Sequence, residues 1–419
     1  AGGGIRIVDD EIALSPDNGI IKIGYHPEKW REALIRAIPK AGKPSYLVAK
    51  AYRPISLLSC LSKVLERIMA SRLTFMLESN HCLPNEHHGF RPKRSTIDAF
   101  EALLSDVREA WAAKKKVSAL FVDFKGAFDR VPHVSILTKL RSLNVPEYMT
   151  DWVEAFLHNR SARIRVDGFM GDKFWIPIGV PQGSPISPIL FIVFNSDVIR
   201  VIKEAQILHA GMLTAKHAHG CPAGFADDIS IWITGTSLEE NAVRLASVAA
   251  AVSEWAQQTG QVLESSKTIL IHFSREHRKM SDQPWVQLDG SHIHPSKAER
   301  FLGLIVDSRL NWSAHVRART TLALKVALGT RLVYRQSHAL PMNRLREIFI
   351  GKLWSILTYG IETWGGDLAQ TQLDSLISCY RQELIKVSGA MRSTPLKSLE
   401  IELRIHSLTD YIELQKDIR

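Results

Sequence analysis

Two adjacent aspartates stand directly before an apolar strand pattern, a position where few folds accept charge. Asp227 and Asp228 follow Phe225-Ala226, and residues 229–233 alternate apolar and polar side chains as a half-buried β-strand does. The pattern predicts the tight turn of a β-hairpin, with both carboxylates at its tip. Two unit negative charges about 4 Å apart repel each other by roughly 4 kcal/mol at an effective dielectric constant near 20. A bound divalent cation would remove that cost, and the simpler alternative is a solvated acidic turn.

The composition describes a globular chain. Its 419 residues, 45% of them apolar, are enough for two or more subdomains. No apolar run approaches the roughly 18 residues of a membrane span, so no membrane contact is expected. The N-terminus lacks a signal-peptide pattern and an initiator methionine, which predicts a fragment or an excised region. The four cysteines form no Cys-x-x-Cys motif, which favours a reducing compartment over a disulfide framework. The glycines and alanines around one His/Cys group favour a loop over a metal site there: His209, His217, His219 and Cys221.

The basic residues are concentrated in one segment. The whole chain carries a formal charge of +10. Residues 309–352 hold nine basic residues and one acidic residue, Glu347, a net charge of +8. Such a local excess is typical of a surface that binds a polyanion, and the alternative is one solvated helix face. We therefore expect nucleic acid to bind there.

A third carboxylate ends a second strand pattern. Residues 117–122 are almost wholly apolar and predict a buried central strand, with Asp123 at its carboxyl end. Lys125-Gly126 then turns the chain, and Ala127-Phe128-Asp129 leads toward a helix that begins near Pro132. Ligands gather where strands end, so we expect Asp123 to meet Asp227 and Asp228.

Other patterns predict local structure. Residues 25–34 predict a short helix, and a longer helix follows residue 57, with Leu61, Val64 and Leu65 on its apolar face. Ser95 or Thr96 is expected to cap a helix over residues 97–113. Residues 179–185 form a Gly/Pro-rich loop where a ligand could approach the backbone closely. Residues 301–307 predict a strand with a glycine inside it.

Six sequence blocks, in this order, resemble the reverse transcriptase of non-LTR (LINE-type) retrotransposons. They are Tyr52-Arg53-Pro54-Ile55-Ser56-Leu57-Leu58, Gly89-Phe90-Arg91, Phe121-Val122-Asp123 through Ala127-Phe128-Asp129, Pro181-Gln182-Gly183-Ser184-Pro185, Phe225-Ala226-Asp227-Asp228 and Phe301-Leu302-Gly303. The resemblance implies an α+β right-hand polymerase fold, in which fingers and palm are built on antiparallel sheet and the thumb is helical. It divides the chain into fingers with an N-terminal lead-in (1–115), palm (116–310) and helical thumb with a C-terminal connection (311–419).

The resemblance also implies roles for individual residues. The metal-binding carboxylates are Asp123, Asp227 and Asp228, which would hold two Mg²⁺ ions, with Mn²⁺ as the substitute. Lys267 matches a lysine near the pyrophosphate and is the candidate general acid. The residues expected around the incoming nucleotide are Arg53, Arg91, Phe128, Gln182 and Gly183. Phe128 would exclude a ribose 2′-hydroxyl, although it could also be a core aromatic, and Asp129 is expected to organise the palm. Leu302 and Gly303 match the primer grip, and the basic segment supplies Arg317, Arg319 and Lys325 for nucleic-acid binding.

The sequence thus predicts an RNA-directed DNA polymerase that acts on an RNA template, a DNA primer and dNTPs. Its expected location is intracellular, in nucleus and cytoplasm, within a retroelement ribonucleoprotein. Two other interpretations remain open at this point. One is a catalytically silent, domesticated relative that binds RNA, and the other is a metal-dependent nuclease that uses the same aspartates. The loop over residues 181–185 and Phe128 have no evident task in a nuclease.

Overall fold

The fold contains fifteen short strands within the described part of the chain. The computed structural model describes residues 5–7, 12–14, 19, 23–210, 222–276, 279–336 and 340–417, and side chains for 19, 23–208, 222–276, 279–329 and 340–415. The strands are β1 (Ile5–Ile7), β2 (Ile12–Leu14), β3 (Glu32–Pro39), β4 (Tyr52–Leu57), β5 (Lys116–Val122), β6 (Ser161–Val166), β7 (Phe169–Met170), β8 (Phe174–Trp175), β9 (Ala223–Phe225), β10 (Asp228–Gly235), β11 (Ile269–Phe273), β12 (Val286–Leu288), β13 (Ser291–Ile293), β14 (Ala298–Phe301) and β15 (Leu304–Asp307).

Helices surround these strands and form most of the chain after residue 312. They are α1 (Cys60–Ser79), α2 (Thr96–Ala112), α3 (His133–Ser142), α4 (Glu147–Leu157), α5 (Ser187–Ala210), α6 (Leu238–Thr259), α7 (Ser313–Gln336), α8 (Met342–Ile348), α9 (Ser355–Leu357), α10 (Ile361–Trp364), α11 (Gln370–Ser388), α12 (Leu396–Leu403) and α13 (Leu408–Asp417). A π-helical stretch, Phe349–Trp354, joins α8 to α9. Within the described part of the chain, no helix is both long enough and apolar enough to span a bilayer.

The central sheet is antiparallel, with strand order β11-β5-β10-β9. One of its faces packs on α1 and α3 to α6, with Leu120 and Ile231 in that core. The other face packs on α2 and on the helices that follow residue 312, with Phe121 and Trp232 in a second core. Because both faces are covered, β10 is almost fully buried, and the predicted half-buried strand is wrong in this respect. Trp232 is accommodated on the second face because its indole Nε1 donates to Asp106 Oδ2 at 2.7 Å.

A second sheet has the strand order β4-β3-β6-β7, with β8 also paired to β6. β3 pairs antiparallel with β4 and parallel with β6. The helix predicted over residues 25–34 is therefore wrong, since only a 3₁₀ turn, Glu28–Trp30, precedes β3. Pairing with β4 and β6 satisfies the backbone N–H and C=O groups of β3 without a helix.

Residues 301–307 form a hairpin turn and one of its strands. β14 ends at Phe301, Leu302-Gly303 makes the turn, and β15 begins at Leu304. Leu302 and Gly303 have φ angles of 44° and 86°, the left-handed values that a tight two-residue hairpin loop requires. The predicted single strand with an internal glycine is wrong, because the glycine provides a reversal of the chain and not a bulge.

Candidate active site

The Asp227 turn is held in place by its neighbours. The chain reverses at Ala226-Asp227 between β9 and β10, and Ala226 adopts a φ of 59°. Asn195 Nδ2 donates to the Ala226 carbonyl at 3.0 Å. Gly89 packs so closely that an added Cβ would lie 2.2 Å from the Ala226 nitrogen. A glycine is therefore needed at 89, which gives the Gly89-Phe90-Arg91 block a structural reason.

Strand register brings the three aspartates together. Ile229 of β10 pairs with Val122 of β5, so Asp228 and Asp123 leave the sheet side by side. The predicted hairpin and the predicted buried strand therefore converge at one edge. Among the described residues, no three acidic, histidine or cysteine side chains are placed to hold one metal ion. The Asp123 carboxylate forms an ion pair with Lys267. The His/Cys group at 209–221 lies outside the described side chains.

The carboxylates are in an unfavourable electrostatic environment. Burial raises the pKa of the Asp228 carboxyl to about 7, and the charges of Asp227 and Asp123 add to that rise. Burial also raises the pKa of Asp227, with a further contribution from Asp123. Negative charge is thus concentrated here without full compensation by the protein. Carboxylate oxygens are the ligands that Mg²⁺ prefers, so the chemistry of these side chains fits the implied ion, while Asp123 would have to leave Lys267 to join the other two aspartates around it.

Two lysines and a glutamate extend from Asp123. Lys267 Nζ lies 2.6 Å from Asp123 Oδ2 and 2.7 Å from Glu264 Oε2. Lys50 also binds Glu264, and the Glu264 backbone N–H donates to the Asp123 carbonyl at 2.9 Å. Hydrogen bonds from Lys267 and Lys50 lower the pKa of Glu264 to about 2. Partial burial lowers the pKa of Lys267, but its bonds to Asp123 and Glu264 outweigh this and raise it.

A cleft of about 940 Å³ opens at the carboxylates. It is lined by seven of the predicted site residues, namely Arg53, Asp123, Phe128, Gln182, Gly183, Asp227 and Lys267. It is also lined by Lys40 and Lys43, which the sequence analysis missed. Both lie in the basic loop before β4, a short distance ahead of Arg53 in the sequence. That proximity to a predicted site residue is the sequence signal that could have identified them. The cleft thus combines an acidic end with a wall of cations.

The Gln182-Gly183 loop is anchored against the second sheet. Gln182 Nε2 donates to Asp129 Oδ1 at 2.9 Å, and the Ser56 N–H donates to the Gln182 carbonyl at 2.7 Å. Gly183 has a φ of 122°, and a Cβ there would lie 2.6 Å from the Ser56 carbonyl oxygen. Below the loop, the buried Glu66 carboxylate accepts hydrogen bonds from Ser184 and Ser62. The loop is rigid enough to present its backbone to a ligand.

Phe128 has one face in the core and lines the cleft. Its ring stacks on Phe191 with centroids 4.5 Å apart and an interplanar angle of 10°. Phe90 meets it edge-on, with centroids 6.0 Å apart. Phe128 also lines the cleft beside Asp123. One side of the ring therefore packs as a core aromatic does, and the role of the other side as a gate stays a prediction.

Two predicted contact residues lie elsewhere. Arg91 is not among the cleft-lining residues, because it forms a bidentate pair with Glu78, at 2.7 and 2.8 Å, and donates to two backbone carbonyls. Arg319 is buried and directed to Gly303, so it does not belong to an exposed nucleic-acid surface. Arg317 and Lys325 are exposed, and both line a shallow groove of about 410 Å³ on α7.

The fold and this cleft agree with a comparison to known families. The family model described as reverse transcriptase (RNA-dependent DNA polymerase) matches residues 38–306. The chain belongs to this reverse transcriptase family. Its α+β architecture is that of a right-hand polymerase, as the six blocks predicted.

Individual relatives come from mobile elements. The probable RNA-directed DNA polymerase from transposon BS of Drosophila melanogaster is 28% identical over 348 residues, 83% of this chain and 37% of that protein. The RNA-directed DNA polymerase from mobile element jockey of the same species is 27% identical over 402 residues, covering 94% and 42%. This chain spans about two fifths of the length of these curated relatives. A solved telomerase from Candida albicans, in complex with a fragment of telomeric RNA, has a TM-score of 0.47 at 13% identity and covers 91% of this chain and 66% of that one.

Proposed function

We propose that this chain extends a DNA primer 3′-hydroxyl with dNTPs on an RNA template. The observation that carries the proposal is the β5–β10 register, which brings Asp123 to the Asp227-Asp228 turn. Asp123 and Asp227 both line a cleft that also contains Arg53 and three lysines. Family membership supplies the reaction class, and the cleft supplies groups for both ends of a nucleoside triphosphate.

The three aspartates would hold two Mg²⁺ ions, with Mn²⁺ as the substitute. When bound, the ions activate the attacking 3′-oxygen and neutralise charge on the leaving pyrophosphate. Burial first, and the charges of neighbouring aspartates second, raise the pKa of Asp227 and of Asp228. Bound cations would stabilise the ionised carboxylates against both effects, which supports this assignment.

The cations of the cleft suit the triphosphate. Arg53, Lys40 and Lys43 line the cleft, and so does Lys267, which lies beside Asp123. Lys267 is protonated at neutral pH, and its bonds to Asp123 and Glu264 raise its pKa and so weaken it as an acid. It can donate a proton to the leaving pyrophosphate once the triphosphate replaces those partners. A triphosphate would compete with Glu264 for this lysine.

Nucleic acid would be held outside the cleft. Arg317 and Lys325 project from the exposed groove on α7, and the cations there suit phosphates of the template–primer duplex. The Leu302-Gly303 turn would hold the primer terminus.

Primer extension on an RNA template with dNTPs and Mg²⁺ tests the proposal. We expect extension by the wild type and none by Asp227→Asn, while template–primer affinity stays within about twofold, since the carboxylate binds metal and the basic surface binds phosphates. Binding without extension would instead identify a silent RNA-binding relative, and degradation of the substrate would identify a nuclease. Extension by Asp227→Asn at the wild-type rate would contradict the assignment of the centre.

A further inference from the structure

The Leu302-Gly303 turn is held from the helical region that follows residue 312. Tyr359 Oη donates to the Leu302 carbonyl at 2.9 Å, and Arg319 Nη2 donates to the Gly303 carbonyl. The Arg319 guanidinium carbon also lies 4.7 Å from the centroid of the Tyr359 ring. Both carbonyls of the turn are therefore bound by side chains, and the two side chains stack on each other.

The turn is closely packed against Tyr359 and hydrogen-bonded to α7. A Cβ on Gly303 would lie 3.0 Å from Tyr359 Oη and 3.1 Å from Tyr359 Cε1. One step along the hairpin, the Ile305 N–H donates to His315 Nδ1 at 3.0 Å. Arg319 Nε lies 3.3 Å from the other ring nitrogen of His315. The hairpin is thus fixed to the first two turns of α7.

Burying the Arg319 guanidinium costs free energy that an apolar side chain would not cost. Its side chain is only 8% exposed, and the ion pairs formed among the described residues do not include it. A buried guanidinium without a carboxylate is costly unless carbonyls or aromatic faces replace water. The carbonyl of Gly303 and the ring of Tyr359 fill that role here. Its contacts are therefore concentrated on the turn.

The same hairpin is fixed to the catalytic strand. Phe301, the residue before the turn, packs on Phe121 of β5 with ring centroids 4.3 Å apart. Phe121 is two residues before Asp123, which directly follows β5. The turn therefore lies between α7 and the strand that positions Asp123, and any displacement of it changes the distance to the metal-binding carboxylates.

We propose that Arg319 and Tyr359 are positioning residues that set the primer 3′-hydroxyl relative to Asp123 by fixing the Leu302-Gly303 turn. This inference rests on the proposed function, because it requires the turn to hold a primer. Neither side chain needs to touch nucleic acid. Their loss should slow the chemical step, since a misplacement of about 1 Å can cost 10²-fold in rate, and should leave affinity for the duplex nearly unchanged.

The test uses two conservative variants. Tyr359→Phe removes the bond to the Leu302 carbonyl and the longer contact with Thr96 Oγ1, at 2.9 and 3.4 Å, and keeps the ring beneath Arg319. Arg319→Lys keeps the charge but loses the stacked plane. Single-turnover incorporation of one dNTP, equilibrium binding of template–primer and a melting curve are measured for each. We expect incorporation to slow by about 10–100-fold, with duplex affinity within about twofold.

Matched controls make the same changes away from the turn. One is at Tyr411, whose ring packs on Trp354, and the other is at Arg381, which donates to the carbonyls of Arg392 and Thr394.

Each outcome decides the matter. Incorporation at the wild-type rate in a folded Tyr359→Phe variant overturns the inference, even if Arg319→Lys fails to fold. Weaker duplex binding with an unchanged rate overturns it as well, because Arg319 would then belong to the nucleic-acid surface. Equal slowing in the Tyr411→Phe and Arg381→Lys controls would reduce the effect to general stability. A wild type that extends no primer contradicts the proposed function itself, and this is recognised before any variant is compared.

Discussion

The two roles considered for the Phe128 ring, a gate at the cleft and a core aromatic, lead to different predictions. A planar ring at the cleft beside Asp123 leaves little room for a 2′-hydroxyl, while its other face stacks on Phe191. We expect Phe128→Val to accept rNTPs better by one to two decades in kcat/KM relative to dNTPs. The reason is that steric overpacking typically costs about 1–3 kcal/mol. Single-nucleotide incorporation of matched rNTP and dNTP measures the ratio.

A melting curve of the same variant separates the gate from the core. Truncating a buried aromatic typically costs about 3–5 kcal/mol of stability, and a purely structural ring would depress both substrates equally. An unchanged rNTP/dNTP ratio together with a lowered melting temperature would remove the gate assignment. Exposed Phe75→Val on α1 is the matched control.

Single residues show where sequence reasoning works. The three aspartates could be found because each lies at or next to the end of a strand, and strand pattern is a local signal. Arg91 and Arg319 could not be placed, because the partners that bury them, Glu78 and Gly303, lie 13 and 16 residues away and meet them only in the folded chain. From the sequence alone, an arginine of this kind is interpreted as a phosphate-binding residue, because the buried partner that it binds cannot be identified.

Elements were predictable where local chemistry decides them. Ser95 caps α2 through a capping box with Asp98, as expected. The predicted apolar face of α1 was less accurate, because Leu61 and Val64 on that face are 38% and 46% exposed. The buried face of α1 instead contains Glu66, which accepts hydrogen bonds from the Gln182-Gly183 loop region. Hydrophobic spacing cannot anticipate a buried carboxylate whose partner comes from another element.

Helix α7 allows a prediction about salt. Each phosphate neutralised contributes about −0.9 to the slope of log K against log salt concentration for B-DNA, and a hybrid duplex should behave similarly. Replacing the exposed Arg317 and Lys325 by alanine should therefore make the slope shallower by about 2 units for any template sequence. Fluorescence anisotropy over a range of salt concentrations measures it.

The control for α7 removes two cations from another helix. Arg200 and Lys203 on α5 are paired with Glu204 and Glu86, so their loss should leave the slope unchanged. If the α5 pair changes the slope and the α7 pair does not, the duplex lies on a different surface.

At the scale of the whole molecule, the cores join regions that the sequence separated. The second core unites α2, one face of the central sheet and the helices after residue 312. The division into fingers, palm and thumb at residues 115 and 310 stays a prediction, because periodicity gives elements but not the contacts between them. Whichever boundary is right, α7 cannot shift without affecting the hairpin beside Asp123.

The stability of the whole chain should depend on pH through its buried histidines. Burial, with help from Arg160 and Arg31, lowers the pKa of His26 from 6.5 to about 3. A base whose pKa is lowered on folding contributes stability above pH 6.5, which is lost as the pH falls toward 3, because the unfolded chain binds the proton first. The loss between pH 7 and pH 5 is about 2 kcal/mol for one such histidine.

His26→Phe should remove that share of the pH dependence. The imidazole is fully buried among the rings of Trp30, Trp152 and Phe156, at centroid distances of 5.9, 5.3 and 5.3 Å, so an aromatic replacement fits its surroundings. Urea unfolding at pH 7 and pH 5, followed by tryptophan fluorescence, gives the free energy of unfolding at each pH. We expect the variant to lose about 2 kcal/mol less than the wild type on acidification, whatever its stability at pH 7. The exposed His158→Gln variant should match the wild type, and an equal loss in His26→Phe would show that His26 is not neutral in the folded chain.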